Sequence, residues 1–230
     1  MLRIKRKVRQ VSPIRSGSTL IANLLRGIFP ESEVAISKRH SISEHIPSKL
    51  DLYVYRRPFV CTCRYPLDVL ASHLIRYDRE PTKEMIEAAI TKFESTGGND
   101  LKMVLNRPNV LLMKYEDFYG DFEYIFDSFE DFFKIQIERE KRNKLTEEFS
   151  IASVEKKVES LSSPDQFDEK TSFRGKHISK FKGMPGHYRY FFTEDQMLWL
   201  RDHFAGFIED FGYIGTEIAD IHADPVNNSV

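Results

Sequence analysis

The chain has 230 residues, 41% of them hydrophobic and 30% charged, which is enough apolar material for one buried core and places it among single-domain globular proteins. Its 34 Lys and Arg against 35 Asp and Glu leave a net charge of −1, so no global field draws it to nucleic acid or to a membrane, and any anion site has to be built locally. The N-terminal MLRIKRKVRQ lacks the continuous apolar run of a secretory signal, and no later stretch reaches the length of a membrane span, which predicts a soluble, cytoplasmic protein.

In chain order, VRQVS (8–12) reads as a strand, and Ile21, Leu24, Leu25 and Ile28 then recur at helical spacing. EVAIS (33–37), DLYVY (51–55) and FVCTC (59–63) are short β-rich runs. Cys61 and Cys63 are the chain's two cysteines and face one side of the last run, as buried strand thiols rather than a disulfide framework. Pro66 opens a helix with an apolar stripe at Leu67, Leu70, Ala71, Leu74 and Ile75. Met85, Ile86, Ala89, Ile90 and Phe93 predict another, ended by Gly97 and Gly98, before the buried strand NVLLMKY (109–115). Phe122, Ile125, Phe126, Phe129, Phe132 and Phe133 mark an amphipathic helix whose phenylalanines belong to the core. Residues 138–160 are charged and helix-compatible, whereas 162–190 are rich in Ser, Gly, Pro, Lys and His without periodicity, a length of irregular chain usually functional or disordered. Thr193 and Gln196 form a capping box for a last helix over about 194–210.

Alternating strands and helices predict an α/β fold, a single domain with a central, mostly parallel sheet flanked by helices, in which ligands bind at the carboxyl ends of the strands. SPIRSGST (12–19) sits at such an end and leads into a helix whose free N–H groups and dipole favour an anion. Gly17 permits close backbone approach, and Ser16, Ser18 and Thr19 offer hydroxyls. The loop is not a Walker A sequence, since no Lys precedes the hydroxyl pair; its cation is Arg15. A second strand-to-helix junction, RYPLDVLAS (64–72), supplies Arg64 and Ser72 at the same sheet edge. Two such junctions predict a ligand with two separated anionic groups.

SPIRSGST, RYPLDVLAS, KYED (114–117) and KGMPGHYRYFFT (182–193), in that order, resemble the sulfotransferase family that uses 3′-phosphoadenosine 5′-phosphosulfate (PAPS). The resemblance covers about residues 8–193 and implies a P-loop-like architecture. It gives Arg15, Ser16, Gly17, Ser18 and Thr19 to the 5′-phosphosulfate, Arg64 and Ser72 to the 3′-phosphate, and places Tyr115 near the adenine. The family's Arg-Lys-Gly is Phe181-Lys182-Gly183 here, so Lys182 and the Gly183 backbone carry over to the 3′-phosphate, and its Asp-Trp becomes His187-Tyr188.

The family's cytosolic branch carries Lys-x-His on a strand between the two phosphate motifs, and Lys38-Arg39-His40 fits that place. His40 is then the general base, neutral near pH 7 in its ordinary range, with Lys38 and Arg15 offsetting charge on the leaving phosphate. Glu44 is the rival base, because Golgi-type members have Arg at the place of Arg15 and use a carboxylate; His45, His177 and His187 are lesser candidates. The expected reaction moves a sulfuryl group from PAPS to a hydroxyl or amine of a small-molecule, carbohydrate or lipid acceptor, without a metal. Segments 76–106 and 138–170 are expected to shape the acceptor pocket. An atypical kinase and a non-catalytic nucleotide-binding protein are the competing readings, and the sequence leaves the oligomeric state open.

Overall fold

The structure, a computed structural model, describes residues 6–40, 58–161, 163, 165–175 and 178–213. The expected strand at 51–55 and the candidates Glu44, His45 and His177 lie outside the described residues.

Among the described residues the sheet has strands β1 (Arg6–Val11), β2 (Val34–Arg39), β3 (Phe59–Cys63) and β4 (Val110–Lys114), all parallel and ordered β2-β1-β3-β4. Val8 is opposite Ile36, Gln10 opposite Val60, and Cys61 opposite Leu112. The chain first steps to one side of β1 and later resumes on the other, so the strand order reverses between β1 and β3. That reversal opens a crevice at the carboxyl edge, where doubly wound folds take their ligands.

Strand alternation sends Phe59, Cys61 and Cys63 to one face and Val60 to the other. The first face packs α2 (Pro66–Arg76), α3 (Lys83–Ser95), α8 (Glu194–His203) and α9 (Ala205–Asp210). The second packs α1 (Ser18–Ile28), α5 (Phe122–Phe133), α6 (Arg139–Phe149) and α7 (Ile151–Val158). The short α4 (Tyr115–Phe118) follows β4 directly. Both cysteines are buried, and burial pushes each thiol up to about 12, as inert strand residues. The phenylalanine stripe of α5 enters the core at Phe126 and Phe129.

Two expected elements divide. The 138–160 stretch is two helices, because the Ser150 hydroxyl accepts from the Ser153 N–H at 3.2 Å and starts α7 afresh. The last helix has the predicted Thr193/Gln196 capping box but breaks at Phe204, which packs edge-on against Phe93 at 5.6 Å between ring centroids. With the break, Leu200, Phe204, Ile208 and Phe211 all reach the core around Phe93.

Between α7 and α8 the described chain has only an isolated bridge, Phe167 to Arg174, and a 3₁₀ turn at His187–Tyr190. The stretch from Ile178 to Tyr188 forms a strap, and Asp68 in the first turn of α2 pins it. Asp68 is 1% exposed and accepts the N–H of Gly186 at 2.7 Å and of Tyr188 at 3.1 Å, with His187 Nδ1 at 2.9 Å and Arg64 at 3.9 Å. Burial alone would raise the pKa of this carboxyl, but His187, Arg64 and the Gly186 N–H outweigh it and hold the pKa below its ordinary 3.8.

A carboxyl held below its unfolded pKa contributes stability above that value and loses it as pH falls through the folded one. Asp68→Asn therefore costs about 3 kcal/mol at pH 7, the order found for breaking a buried charged pair. In urea unfolding the gap between parent and variant narrows as pH is lowered from about 5 to about 3. A gap constant over that range would show that the charge of Asp68 does not hold the strap.

Candidate functional site

Ser12, the first residue past β1, joins three strand ends. Its N–H donates to the Arg39 carbonyl at 3.2 Å, its hydroxyl accepts the Thr62 N–H at 2.7 Å, and its carbonyl lies 3.1 Å from His40 Nδ1. The loop that follows turns through two left-handed residues, Arg15 at φ 59 and Gly17 at φ 80. Non-glycine residues stay in that region where the surrounding structure fixes them, commonly at ligand sites. At Gly17 a side chain is also excluded by space: a Cβ would stand 2.8 Å from Phe118 and 2.9 Å from Tyr115.

The hydroxyl of Ser16 points inward, donating to the Pro13 carbonyl at 2.8 Å and lying 2.8 Å from Thr62 Oγ1. Its side chain thus braces the loop against β3, with the hydroxyl engaged inside the protein. Ser18 and Thr19 do line the cavity, as does Lys38, whose Nζ donates to Thr19 Oγ1 at 2.7 Å. Burial, then the neighbouring Arg26 and Arg174, lower the Lys38 pKa to about 8, which leaves it charged at neutral pH. Two residues further on, His40 lines the same cavity. With Nδ1–H donated to the Ser12 carbonyl, its Nε2 carries the lone pair. Burial and then Lys38 lower its pKa to about 4, against the ordinary value of 6.5.

The two junctions meet directly. Arg15 Nε donates to Ser72 Oγ at 2.9 Å, and Arg64 Nη1 donates to the Arg15 carbonyl at 3.4 Å. The Arg64 guanidinium lies over the Tyr115 ring, 4.0 Å from its centroid, and donates to the Gly183 carbonyl of the strap at 2.8 Å. Its Nε is buried without a partner. Gly183 is at φ 82, and a Cβ there would stand 2.5 Å from the Tyr115 hydroxyl, so the strap lies directly on Tyr115. Lys182 lines the cavity while its Nζ reaches Glu155 at 3.5 Å, and the Tyr119 hydroxyl donates to its carbonyl at 3.4 Å.

All these groups face one cavity of about 520 Å³. One wall is apolar, formed by Phe122, Phe149, Ile151, Val154, Phe173 and Ile178. No Asp or Glu is among the described residues that line it. Arg15 lies at the centre of the positive charge: burial, then Arg76 and Arg64, lower its pKa to about 9. Such a concentration of cations around an apolar-walled cleft suits a polyanion with a flat hydrophobic part. Among the described residues no three His, Cys, Asp or Glu side chains gather to hold a metal ion.

No protein-family model and no curated protein matches the sequence. Among solved structures the chain is similar to mouse sulfotransferase SULT7A1 complexed with PAP, with a TM-score of 0.66 and 18% identity over 93% of this chain and 89% of that one. It is also similar to retinol dehydratase with androsterone and inactive cofactor PAP (TM-score 0.62, 16% identity, 90% and 82% of the two chains) and with retinol and PAP (0.61, 15%, 90% and 83%). The chain has the sulfotransferase fold.

Within that fold the structure brings Arg15, Gly17, Ser18, Thr19, Lys38, His40, Arg64, Ser72, Tyr115, Lys182 and Gly183 to one cavity. Sequence reasoning missed Ser12 and Asp68 as positioning residues, and Arg76 and Arg174 as cavity-lining cations. Ser12 carries no signal beyond its place at a strand end. Arg76 was detectable only as a charged residue one helical turn past Ser72, on the same side of α2.

Gly17 and Gly120 both take left-handed φ, 80 and 78, but a Cβ at Gly120 meets nothing within 4 Å. Gly120→Ala thus incurs only the backbone cost of about 1 kcal/mol, while Gly17→Ala adds an overpacking cost of about 1–3 kcal/mol. Urea unfolding of both variants checks the difference, and equal losses would remove the close approach of Tyr115 and Phe118 from the loop's design.

Proposed function

We propose that the protein is a PAPS-dependent sulfotransferase acting on a hydroxyl or amine of a small-molecule acceptor. The observation that carries this reading is the direct hydrogen bond between Arg15 and Ser72, which joins the two anion-binding junctions across a cavity that also holds a neutral imidazole at His40. The residues suit the nucleotide: Gly17 holds the left-handed turn before α1 while leaving room for Tyr115 and Phe118 against the loop, and the buried Arg64 Nε lacks an acceptor. Arg15 to Thr19 would hold the 5′-phosphosulfate, Arg64, Ser72, Lys182 and the Gly183 backbone the 3′-phosphate, and Tyr115 with the apolar wall the adenine. The fold similarity to PAP-bound structures supports this over a kinase, and Gly17 stands where a Walker A loop carries its lysine. The retinol dehydratase structures hold androsterone or retinol beside PAP, and a cavity of this volume is of the size that small-molecule sites take. A cytoplasmic location fits the reading and rests on the sequence alone.

When bound, PAPS supplies an activated sulfuryl group on a phosphate leaving group. His40 Nε2 takes the acceptor proton as the hydroxyl oxygen attacks, with Ser12 fixing the tautomer through Nδ1. Lys38 and Arg15 meet the negative charge that grows on the leaving side, and Thr19 orients Lys38. The strap, tied down by Arg64 and Asp68, excludes water from above.

The lowered pKa changes the expected pH profile. A base with a free-protein pKa of about 4 is already unprotonated at pH 6, so kcat/KM for transfer is flat from about pH 6 to 7, falls as pH approaches 4, and falls again through about pH 8 as Lys38 loses its proton. His40→Ala lowers the transfer rate by about a hundred- to ten-thousandfold and keeps bisphosphate affinity, while Glu44→Gln, outside the described residues, is the matched control. Loss of transfer in Glu44→Gln with retention in His40→Ala would assign the base to the carboxylate. Binding of the bisphosphate with no transfer to any acceptor would make the protein a nucleotide binder.

A further inference from the structure

The nucleotide grips leave part of the cavity's positive charge without a role. Beyond Ser72, α2 presents His73, Arg76 and Tyr77 to the cavity, and α3, packed against α2, adds Lys92 and Thr96. Lys92 is exposed at its Cα position on α3 and forms no ion pair among the described residues. It stands close enough to His40 and to His73 to lower the pKa of each, with Arg15, Arg79 and Arg76 also acting on His73. Among the described carboxylates, Glu94 on α3 is engaged with His203 at 3.3 Å, and Asp165, outside the cavity lining, partly offsets Arg76, which donates to the Gly175 carbonyl at 3.4 Å. A cation that lines the same cavity as the base, and that is not among the residues assigned to either phosphate, suits an acceptor that brings its own negative charge.

We infer that the acceptor is an anionic hydroxyl compound whose carboxylate or phosphate is met by Lys92 and Arg76 while its hydroxyl faces His40. This rests on the sulfuryl-transfer reading and goes further by naming the acceptor's charge. Tyr77, which stacks edge-on with His73 at 5.2 Å, and Thr96 line the same cavity. Androsterone and retinol, held by retinol dehydratase, are neutral, so this chain and that neighbour would differ in acceptor class through these few side chains.

Isothermal calorimetry on protein already loaded with adenosine 3′,5′-bisphosphate tests the inference without turnover. The probes are matched pairs: 4-hydroxybenzoate with 4-hydroxybenzamide, 4-hydroxyphenylacetate with 4-hydroxyphenylacetamide, and glycerol 3-phosphate with glycerol. In at least one pair the anion binds about tenfold or more tightly than its neutral partner, the scale of one charge-assisted contact, and the carboxylate and phosphate arms separate the two anion types. Lys92→Glu brings that ratio to one or inverts it, and as an exposed helix position it leaves unfolding by urea close to that of the parent. Equal affinities within every pair, undetectable binding of every anion, or a preference that survives Lys92→Glu would each overturn the inference. Bisphosphate binding, measured first, reports separately on the nucleotide reading: if it fails, both readings fall, and if it holds, the acceptor pairs decide this one alone.

Discussion

The architecture depends on one electrostatic constraint, the convergence of Arg15, Arg64, Arg76 and Lys38 on a cleft to which the described residues contribute no carboxylate. Burial and, after it, repulsion by the neighbouring arginines lower the pKa values of Arg15 and Lys38. A fold keeps such an arrangement when a ligand supplies the opposite charge. The parallel sheet makes the convergence possible, because every strand ends at the same edge and the reversal between β1 and β3 opens the crevice there. Arg15 follows β1, His40 follows β2, Arg64 follows β3 and Tyr115 follows β4.

Arg64 shows how closely binding and architecture are joined. One guanidinium lies over Tyr115, donates to the Gly183 carbonyl and approaches Asp68 at 3.9 Å. The strap is therefore fastened by the same cation that the sequence motif assigns to the 3′-phosphate. His187, fully buried, pairs with Asp68 at 2.9 Å and so adds a side-chain contact to the two backbone N–H groups that Asp68 accepts.

Much of this was legible in the sequence because its signals are local. Period-two and period-3.6 patterns locate the strands and most helices, Gly17 marks a turn that excludes side chains, and Thr193 with Gln196 announces a helix start. The fate of Ser16 was not legible, since its hydroxyl turns toward Thr62 on a strand 46 residues away. Nor was the break at Phe204, which follows from the position of Phe93 in the core. The charge around the cavity was half visible: Arg15 and Arg64 lie in motifs, whereas Arg76, Lys92 and Arg174 join them only through tertiary packing. The pKa of His40 was misjudged for the same reason, as burial and Lys38 act on it through space.

The central claim is that this cleft holds one ligand by two separated anionic groups. Isothermal calorimetry comparing adenosine 3′,5′-bisphosphate with adenosine 5′-monophosphate, at two salt concentrations, tests it most directly. The account predicts that the bisphosphate binds about ten- to a hundredfold more tightly, that Arg64→Ala removes most of the difference, and that the preference weakens as salt rises. Equal affinities for the two nucleotides would contradict it.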